Sequence, residues 1–308
     1  MSRETSASSL AAPFEAHIAN CLVIGEHARD LGDGAWTRSD IRLSLSGLHV
    51  TLRQEPWVIS GPSWSSLRGQ WLHTTTLVFE DLLEGDRDLA IDCAQAVSHL
   101  LGFLTNCEVA FYGWKHEVGE SIGHQWTSTG EIDGFIPVLA SRDGTVVRSF
   151  VEGSWACFLA ERNSRKLPAV FHYLALAAKE GTPIELQLAI YSIVLEQLKY
   201  SFAVANNFVW IAPSFHVPGT STPVKGSKRG FEALLNQMFA VFGMSPPLSE
   251  VVALRNELLH SGVSSRPFNE LEVMRGSIVA LIREFILHML GYSGAFYTGE
   301  NGGLQRSI

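Results

Sequence analysis

Cysteine is scarce in this chain of 308 residues, four in all, and no two of them form a C-x-x-C pair. Cys21, Cys93, Cys107 and Cys157 therefore read as free, mostly buried thiols of a reducing compartment, which argues against a disulfide framework and a thiolate zinc site. An excess of basic charge is lacking too, with 23 Lys and Arg against 31 Asp and Glu. Long duplex nucleic acid is held through its phosphates, and this balance advertises no surface for tight, sequence-independent binding to it. A small or single-stranded substrate, reached through a local basic patch, stays open. No apolar run reaches the roughly 18 residues of a membrane span without a polar interruption. The nearest, 184–205, contains Glu185, Gln187, Glu196 and Lys199 and reads as a buried helix. Residues 1–20 lack an apolar core of signal-peptide length, so a cytoplasmic protein without a membrane partner is expected. Walker A and Rossmann glycine patterns and internal repeats are likewise missing.

What is present divides in two. Residues 1–150 carry 10 basic and 19 acidic side chains, whereas 151–308 carry 13 and 12, so the whole acidic surplus lies in the first half. Residues 1–13 are small and polar and read as disordered. From about 20 to 80 the dominant period is two: Ile41, Leu43 and Leu45 alternate with Arg42, Ser44 and Ser46. After a Ser46-Gly47 hairpin turn, Leu48, Val50 and Leu52 resume the alternation. Seven of the eight tryptophans lie at or before residue 155, which suits pleated, half-buried surfaces. They read as sheet and core residues, with a base-stacking platform as the alternative. One helix interrupts the strands, carrying Leu89, Cys93, Ala96, Val97, Leu100 and Leu104 at helical spacing and closing at Asn106. A strand over 107–115 comes next, and further short strands are expected over 116–150.

Beyond about 150 the period becomes helical. Helices are expected at 155–165, from Pro168 to Gly181, at 184–205, at 230–243 and at 270–290, the last with an Asn269/Glu272 capping box. Residues 206–229 read as a loop with Lys225, Lys228 and Arg229, and 291–308 as a flexible Gly-rich tail. The expected class is α+β: a β-rich N-terminal domain over 1–150, then over 151–290 an all-α bundle in which four of these helices are the principal ones, joined by one further short helix.

That short helix lies in Ser245–Val263, SPPLSEVVALRNELLHSGV. At about 100° per residue, Val251, Val252, Leu254, Leu258 and Leu259 fall on one broad arc. Arg255 falls near its middle, where a leucine would be expected, while Asn256 and His260 share one edge. A guanidinium on a core-facing stripe needs a buried partner or a function. Five Arg–His pairs occur at comparable spacing, Arg283–His288 among them, but only Arg255 is followed by an amide and only His260 by Ser-Gly at a helix end.

Arg255-Asn256-x-x-x-His260, closing a helix of the C-terminal half, resembles the signature of the HEPN family, in particular its Apea-like branch. The likeness extends over about 155–290, through the Phe171-His-Tyr-Leu helix, the Gly181 break and Val194-Leu-Glu-Gln-Leu. The long 206–229 segment departs from the family pattern. The resemblance implies a metal-independent endoribonuclease, without cofactor, of the kind found in antiviral defence and toxin systems. It equally implies the family's other role, a non-catalytic module that dimerises or holds a nucleotide. As an enzyme, His260 would move the proton of the 2′-OH or of the leaving oxygen. Arg255 would hold phosphate oxygens, and Asn256 would orient the imidazole or a phosphate. Glu196 is the position that matches the family's acidic partner of the Arg, and Lys225, Lys228 and Arg229 would guide phosphates. A single His supplies one proton carrier, so acid and base together call for a homodimer through the helical domain, acting on single-stranded RNA or a nucleotide. The N-terminal domain would then sense a trigger, select substrate or bind a further partner. Without activity, Arg255–Glu196 is a structural ion pair and His260 a helix end.

Two other patterns attract notice. Gly119-Glu-Ser121-Ile-Gly123 fits G-x-S-x-G, but His124-Gln-Trp-Thr-Ser-Thr-Gly does not open a helix, so a β-hairpin loop is expected rather than a nucleophile elbow. His116 and His124 lack Cys or carboxylate companions at metal-site spacing and read as loop histidines.

Overall fold

The computed structural model describes residues 12–32, 34–61, 63–116, 119–122, 136–222, 225–299 and 305–308. It separates into two compact units, Met1–Ile132 with Ser141–Glu152, and Asp133–Ala140 with Gly153–Ile308. One unit is built on a sheet and the other on helices, so the protein is α+β.

The first unit holds strands β1 (Ala12–Ala19), β2 (His27–Gly32), β3 (Ala35–Leu45), β4 (Leu48–Gln54), β5 (His73–Leu82), β6 (Ala110–His116) and β7 (Gly119–Ile122). They form one antiparallel sheet in the order β2-β3-β4-β5-β1-β6-β7. Period-two patterning dictates its faces: Ile41, Leu43 and Leu45 on β3 and Phe14, Ala16 and Ile18 on β1 are buried, while Arg42 and Ser44 between them are exposed. Helix α1 (Pro56–Ser60) comes after β4, and α2 (Arg87–Thr105) packs on β1, β5 and β6. Its apolar stripe is Ala90, Cys93, Val97, Leu100, Leu101 and Leu104. Asn106 ends α2 in the left-handed region (φ 54°), its N–H donating to the Gly102 and Phe103 carbonyls. Ser46 and Gly47, both at positive φ (51° and 88°), turn β3 into β4, as the period predicts.

Several boundaries differ from the sequence reading. Ala12 and Pro13, read as disordered, open β1; residues 1–11 lie outside the described residues. The helix expected from 155 begins at Gly144 (α3, Gly144–Glu161), and the division between units falls within it, after Glu152. The overlooked signal is Asp143, whose Oδ1 accepts the Thr145 N–H at 3.0 Å. Ser121 pairs with Trp114 inside a strand instead of crowning a turn, whereas Gly123 and His124 lie outside the described residues.

The second unit continues with α4 (Leu167–Ala177), α5 (Ile184–Ala205), α6 (Phe231–Ala240), α7 (Ser249–Ser261) and α8 (Phe268–Met289). Helix α5 packs against α4, α6, α7 and α8. Among the described residues it alone is long and apolar enough to cross a membrane, but 56% of its apolar window is buried, as the centre of a bundle requires. The 206–229 segment is more than a loop. Strands β8 (Val209–Ile211), β9 (Ser214–His216) and β10 (Lys228–Arg229) form a small sheet, and Phe215 packs with Ala203 and Leu234. Nor is the tail structureless: β11 (Ala295–Tyr297) pairs with β12 (Gln305–Ser307). The capping box at the start of α8 does not form, because Pro267 takes the cap position. Glu272 instead pairs with Arg275 at 2.8 Å.

Candidate functional site

Helix α7 starts at Ser249, immediately after Leu248 and beyond the two prolines, and ends at Gly262 in the left-handed region (φ 76°). Only Leu254 and Leu258 of its apolar arc are buried, and Leu259 is 49% exposed. The arc is thus narrower than the sequence suggests, and Arg255 lies at its rim, its side chain 24% exposed. The core-buried guanidinium expected at Arg255 is found elsewhere, at Arg283, which is 4% exposed.

Four helix-borne side chains surround the Arg255 head. Its Nη2 donates to Glu196 Oε1 on α5, and its Nη1 donates to Asn256 Oδ1 at 2.8 Å. The second carboxylate oxygen of Glu196 accepts from Lys199 Nζ. Beneath both cations lies Phe231, the first residue of α6, with the guanidinium carbon 4.8 Å and Lys199 Nζ 5.2 Å from its ring centroid. A ring face attracts cations through its quadrupole, so Phe231 supports the two positive groups that Glu196 bridges. One carboxylate balances two cations, leaving the cluster with one net positive charge. The Arg255 Nε–H is buried and has no hydrogen-bond partner, an unspent donor in a planar fork suited to oxyanions.

The structure brings Arg255, Asn256 and Glu196 together. Sequence reasoning misses Lys199 and Phe231 as site residues, although Lys199 stands three residues after Glu196 on the same polar line. Ser192, the third member of that line, turns its hydroxyl to the Leu188 carbonyl of its own helix. His260 is not part of the cluster. Five residues after Arg255, it projects about 140° away around the helix, whereas Asn256 lies only about 40° from it. His260 is exposed at the end of the helix, next to the exposed Leu259 and Val263.

Among the basic residues of the 206–229 segment, Lys225 and Lys228 are exposed. Arg229 is spent on its own turn, its Nη1 donating to the Gly226 and Lys228 carbonyls at 2.8 and 3.1 Å. Strand β10 runs through Gly230 into Phe231, so it holds Lys228 close in sequence to the ring under Arg255. Among the described residues no group of three or more His, Cys, Asp or Glu is placed to hold a metal ion.

A second feature of the unit is a cavity of about 500 Å³ between the Phe242–Pro247 connection, Val251 of α7 and α8. His288 stacks on Phe242 in its wall, with ring centroids 5.7 Å apart. Arg283, the other Arg of the alternative Arg283–His288 spacing, is not part of that wall. Its Nη1 and Nη2 donate to the carbonyls of Tyr297 and Ile136 at 2.8 and 3.2 Å, and burial lowers its pKa to about 10. That spacing therefore describes a structural arginine beside an unrelated histidine.

Comparison with protein-family models, with curated proteins and with solved structures finds no match to this chain, so the HEPN resemblance rests on its residues alone.

Proposed function

We propose that the helical unit is a metal-independent endoribonuclease of HEPN type, acting on single-stranded RNA in the cytoplasm as a homodimer. The observation that carries this reading is the Arg255 fork. Glu196 and Phe231 hold it in place, Asn256 attaches it to the helix edge that leads to His260, and its side chain is 24% exposed. A guanidinium so fixed offers a phosphate a positioned donor at little further cost in side-chain order. Lys199 adds charge beside it, and Lys225 and Lys228 would guide the strand toward it; Arg229 would contribute chiefly by shaping the turn.

The angular separation of Arg255 and His260 supports a composite site. On one helix the two do not converge, whereas a two-fold axis beside the end of α7 would set the His260 of one copy against the Arg255 of the other. Leu259 and Val263, 49% and 63% exposed, bracket His260 with apolar surface that a second copy would cover. In the reaction the 2′-OH loses its proton to one imidazole and its oxygen bonds to phosphorus. The 5′-oxygen departs and takes a proton from the other imidazole, and Arg255 offsets the charge on the phosphoryl oxygens. Regulation by a trigger sensed in the sheet unit would suit an enzyme of antiviral defence or of a toxin system. The other reading, a dimerising or nucleotide-holding module, draws on the same ion pair, since an Arg already paired with Glu196 can serve structure alone.

Incubation of the purified chain with single-stranded RNA and EDTA tests the proposal. The expected products carry 2′,3′-cyclic phosphate ends, RNA lacking the 2′-OH at the scissile position stays intact, and His260→Ala cuts nothing while its dimer persists. Cutting by His260→Ala at the wild-type rate, or a monomer at every concentration, leaves the module.

A further inference from the structure

The sheet unit contains a chain of three polar side chains in close contact, none of them part of the Arg255 cluster. His73, the first residue of β5, approaches Glu55 Oε1 with Nε2 at 3.4 Å and Tyr112 Oη of β6 with Nδ1 at 2.9 Å. A carboxylate at Nε2 requires that nitrogen to carry the proton, which leaves the Nδ1 lone pair to accept the Tyr112 O–H. Thr76 Oγ1, 3.3 Å from Nε2, stands as a second neighbour on the same side. His17 of β1 packs against both rings, edge-on to His73 at 5.4 Å and stacked on Tyr112 at 5.9 Å, and Trp71 meets Tyr112 at 4.9 Å. His17 alternates with the buried Ala16 and Ile18, so the group lies on the face turned away from that apolar row. Glu55, His73 and Tyr112 are all half-buried, sheltered but reachable.

A nucleophile hydrogen-bonded to a base, with a carboxylate beside the base's other nitrogen, is an arrangement that can activate a weak hydroxyl. We propose that Tyr112 is the nucleophile of a second reactive site, with His73 as its base and Glu55 as the positioning residue, directed at an anionic phosphate ester. Two guanidinium groups near the triad, able to offer hydrogen-bonding forks to an oxyanion although Asp40 and Glu55 balance their charge, point to that substrate class. Arg29 and Arg53 lie near enough to help His73 hold the Glu55 carboxyl below its ordinary value, and Arg53 faces Thr76 across the β4–β5 pair. Both also approach Asp40, at 4.0 and 3.9 Å. Burial pushes the Tyr112 phenol up, so it rests neutral and depends on a base at the moment of attack. In the step the phenolic proton passes to His73 Nδ1 as the Tyr112 oxygen bonds to phosphorus. The ester oxygen leaves with its bonding pair and takes the proton from the imidazolium, whose charge Glu55 has offset meanwhile. No oxidant or further reactant enters.

The test labels the full chain with 4-(fluorosulfonyl)benzoate, an anionic probe from which an activated phenol displaces fluoride, and with its neutral methyl ester. Peptide mapping should find Tyr112 modified ahead of Tyr200, although Tyr200 is 49% exposed. Replacing His73 with Gln should slow that labelling by about 100-fold, the scale of general-base assistance. Glu55→Gln should slow it less, and Arg53→Gln should remove the preference for the anionic probe. If His73→Gln fails to fold, the Glu55→Gln and Arg53→Gln arms decide. Labelling of Tyr112 no faster than Tyr200, or at one rate in wild type and the His73 or Glu55 variants, overturns the proposal. Equal rates with the two probes overturn the assignment of an anionic substrate. None of these residues belongs to the Arg255 cluster, so the outcome is independent of RNA cleavage.

Discussion

Arg255 on α7 and Arg283 on α8 belong to the same unit and both head an Arg-x-x-x-x-His spacing, yet their surroundings differ in kind. Arg283 is sealed in and donates to two backbone carbonyls, Tyr297 O and Ile136 O, which binds the 136–138 segment and the terminal hairpin to α8. Its charge survives burial because those dipoles solvate it, and its pKa of about 10 keeps it protonated at neutral pH. Arg255 stands at a rim, shares a carboxylate with Lys199 and keeps one donor unspent. The buried guanidinium is a tie between chain segments. The half-exposed one is a placed charge, and of the two only it has the access that a site needs.

The largest effect expected from this contrast is at Arg283. Arg283→Ala removes the buried guanidinium that ties the Tyr297 and Ile136 carbonyls to α8 and opens a void, and should cost about 3–5 kcal/mol, read as a loss of denaturant midpoint. A cost below about 1 kcal/mol would break the comparison. Next comes Glu196→Ala, which releases Arg255 and Lys199 toward each other. Because the Glu196 and Arg255 side chains are 29% and 24% exposed, water screens the pair, and about 1–2 kcal/mol is expected. RNA cleavage, if present, should fall further than stability does, since Arg255 would lose its orientation. His260→Ala is the smallest in stability, about 1 kcal/mol or less, but should abolish cleavage outright.

Acid sharpens the same contrast. Ser265 donates its N–H and its hydroxyl to Glu257 Oε1 near the end of α7, and these bonds hold the Glu257 carboxyl below its ordinary 4.5. A carboxyl depressed on folding contributes stability above 4.5 that is lost as pH falls through its folded value. Arg266, beyond the end of α7, also approaches Glu257 Oε2 with its Nε at 3.7 Å, whereas the partners of Arg283 are backbone carbonyls. Amide hydrogen exchange, corrected for intrinsic rates, should show α7 losing protection as pH falls below 4.5, before the Arg283 turn of α8 does. Equal loss in the two helices would count against the distinction.

Much of this was legible in the sequence. Period-two runs announced β3 and β4, the 184–205 helix was bounded to the residue, and the Arg255–Glu196 pairing was anticipated from the family resemblance. Misplaced elements had weak or misleading local signals. Glycines at 144 and 153 concealed a helix whose buried Val147, Phe150 and Val151 follow its period, and Asn269 with Glu272 imitated a cap that Pro267 occupies.

The sequence by itself determined which residues alternate, which helix is apolar on every side, and that an arginine would stand among leucines on a short helix. These follow from periods of 2 and about 3.6 residues, properties of the backbone that need no partner. Tertiary structure alone decided how deep each charge lies. Helix α7 buries only Leu254 and Leu258, so Arg255 surfaces. Helix α8 buries a broader face, and Arg283 is covered by the 136–138 segment and the terminal hairpin, which no periodicity announces. The same holds for the chain from Glu55 through His73 to Tyr112, residues remote in sequence that the β4-β5-β1-β6 strand order and the loop after β4 bring within hydrogen-bonding reach. Burial and long-range hydrogen bonds depend on what a face meets, and a face's partner is not written in its own period.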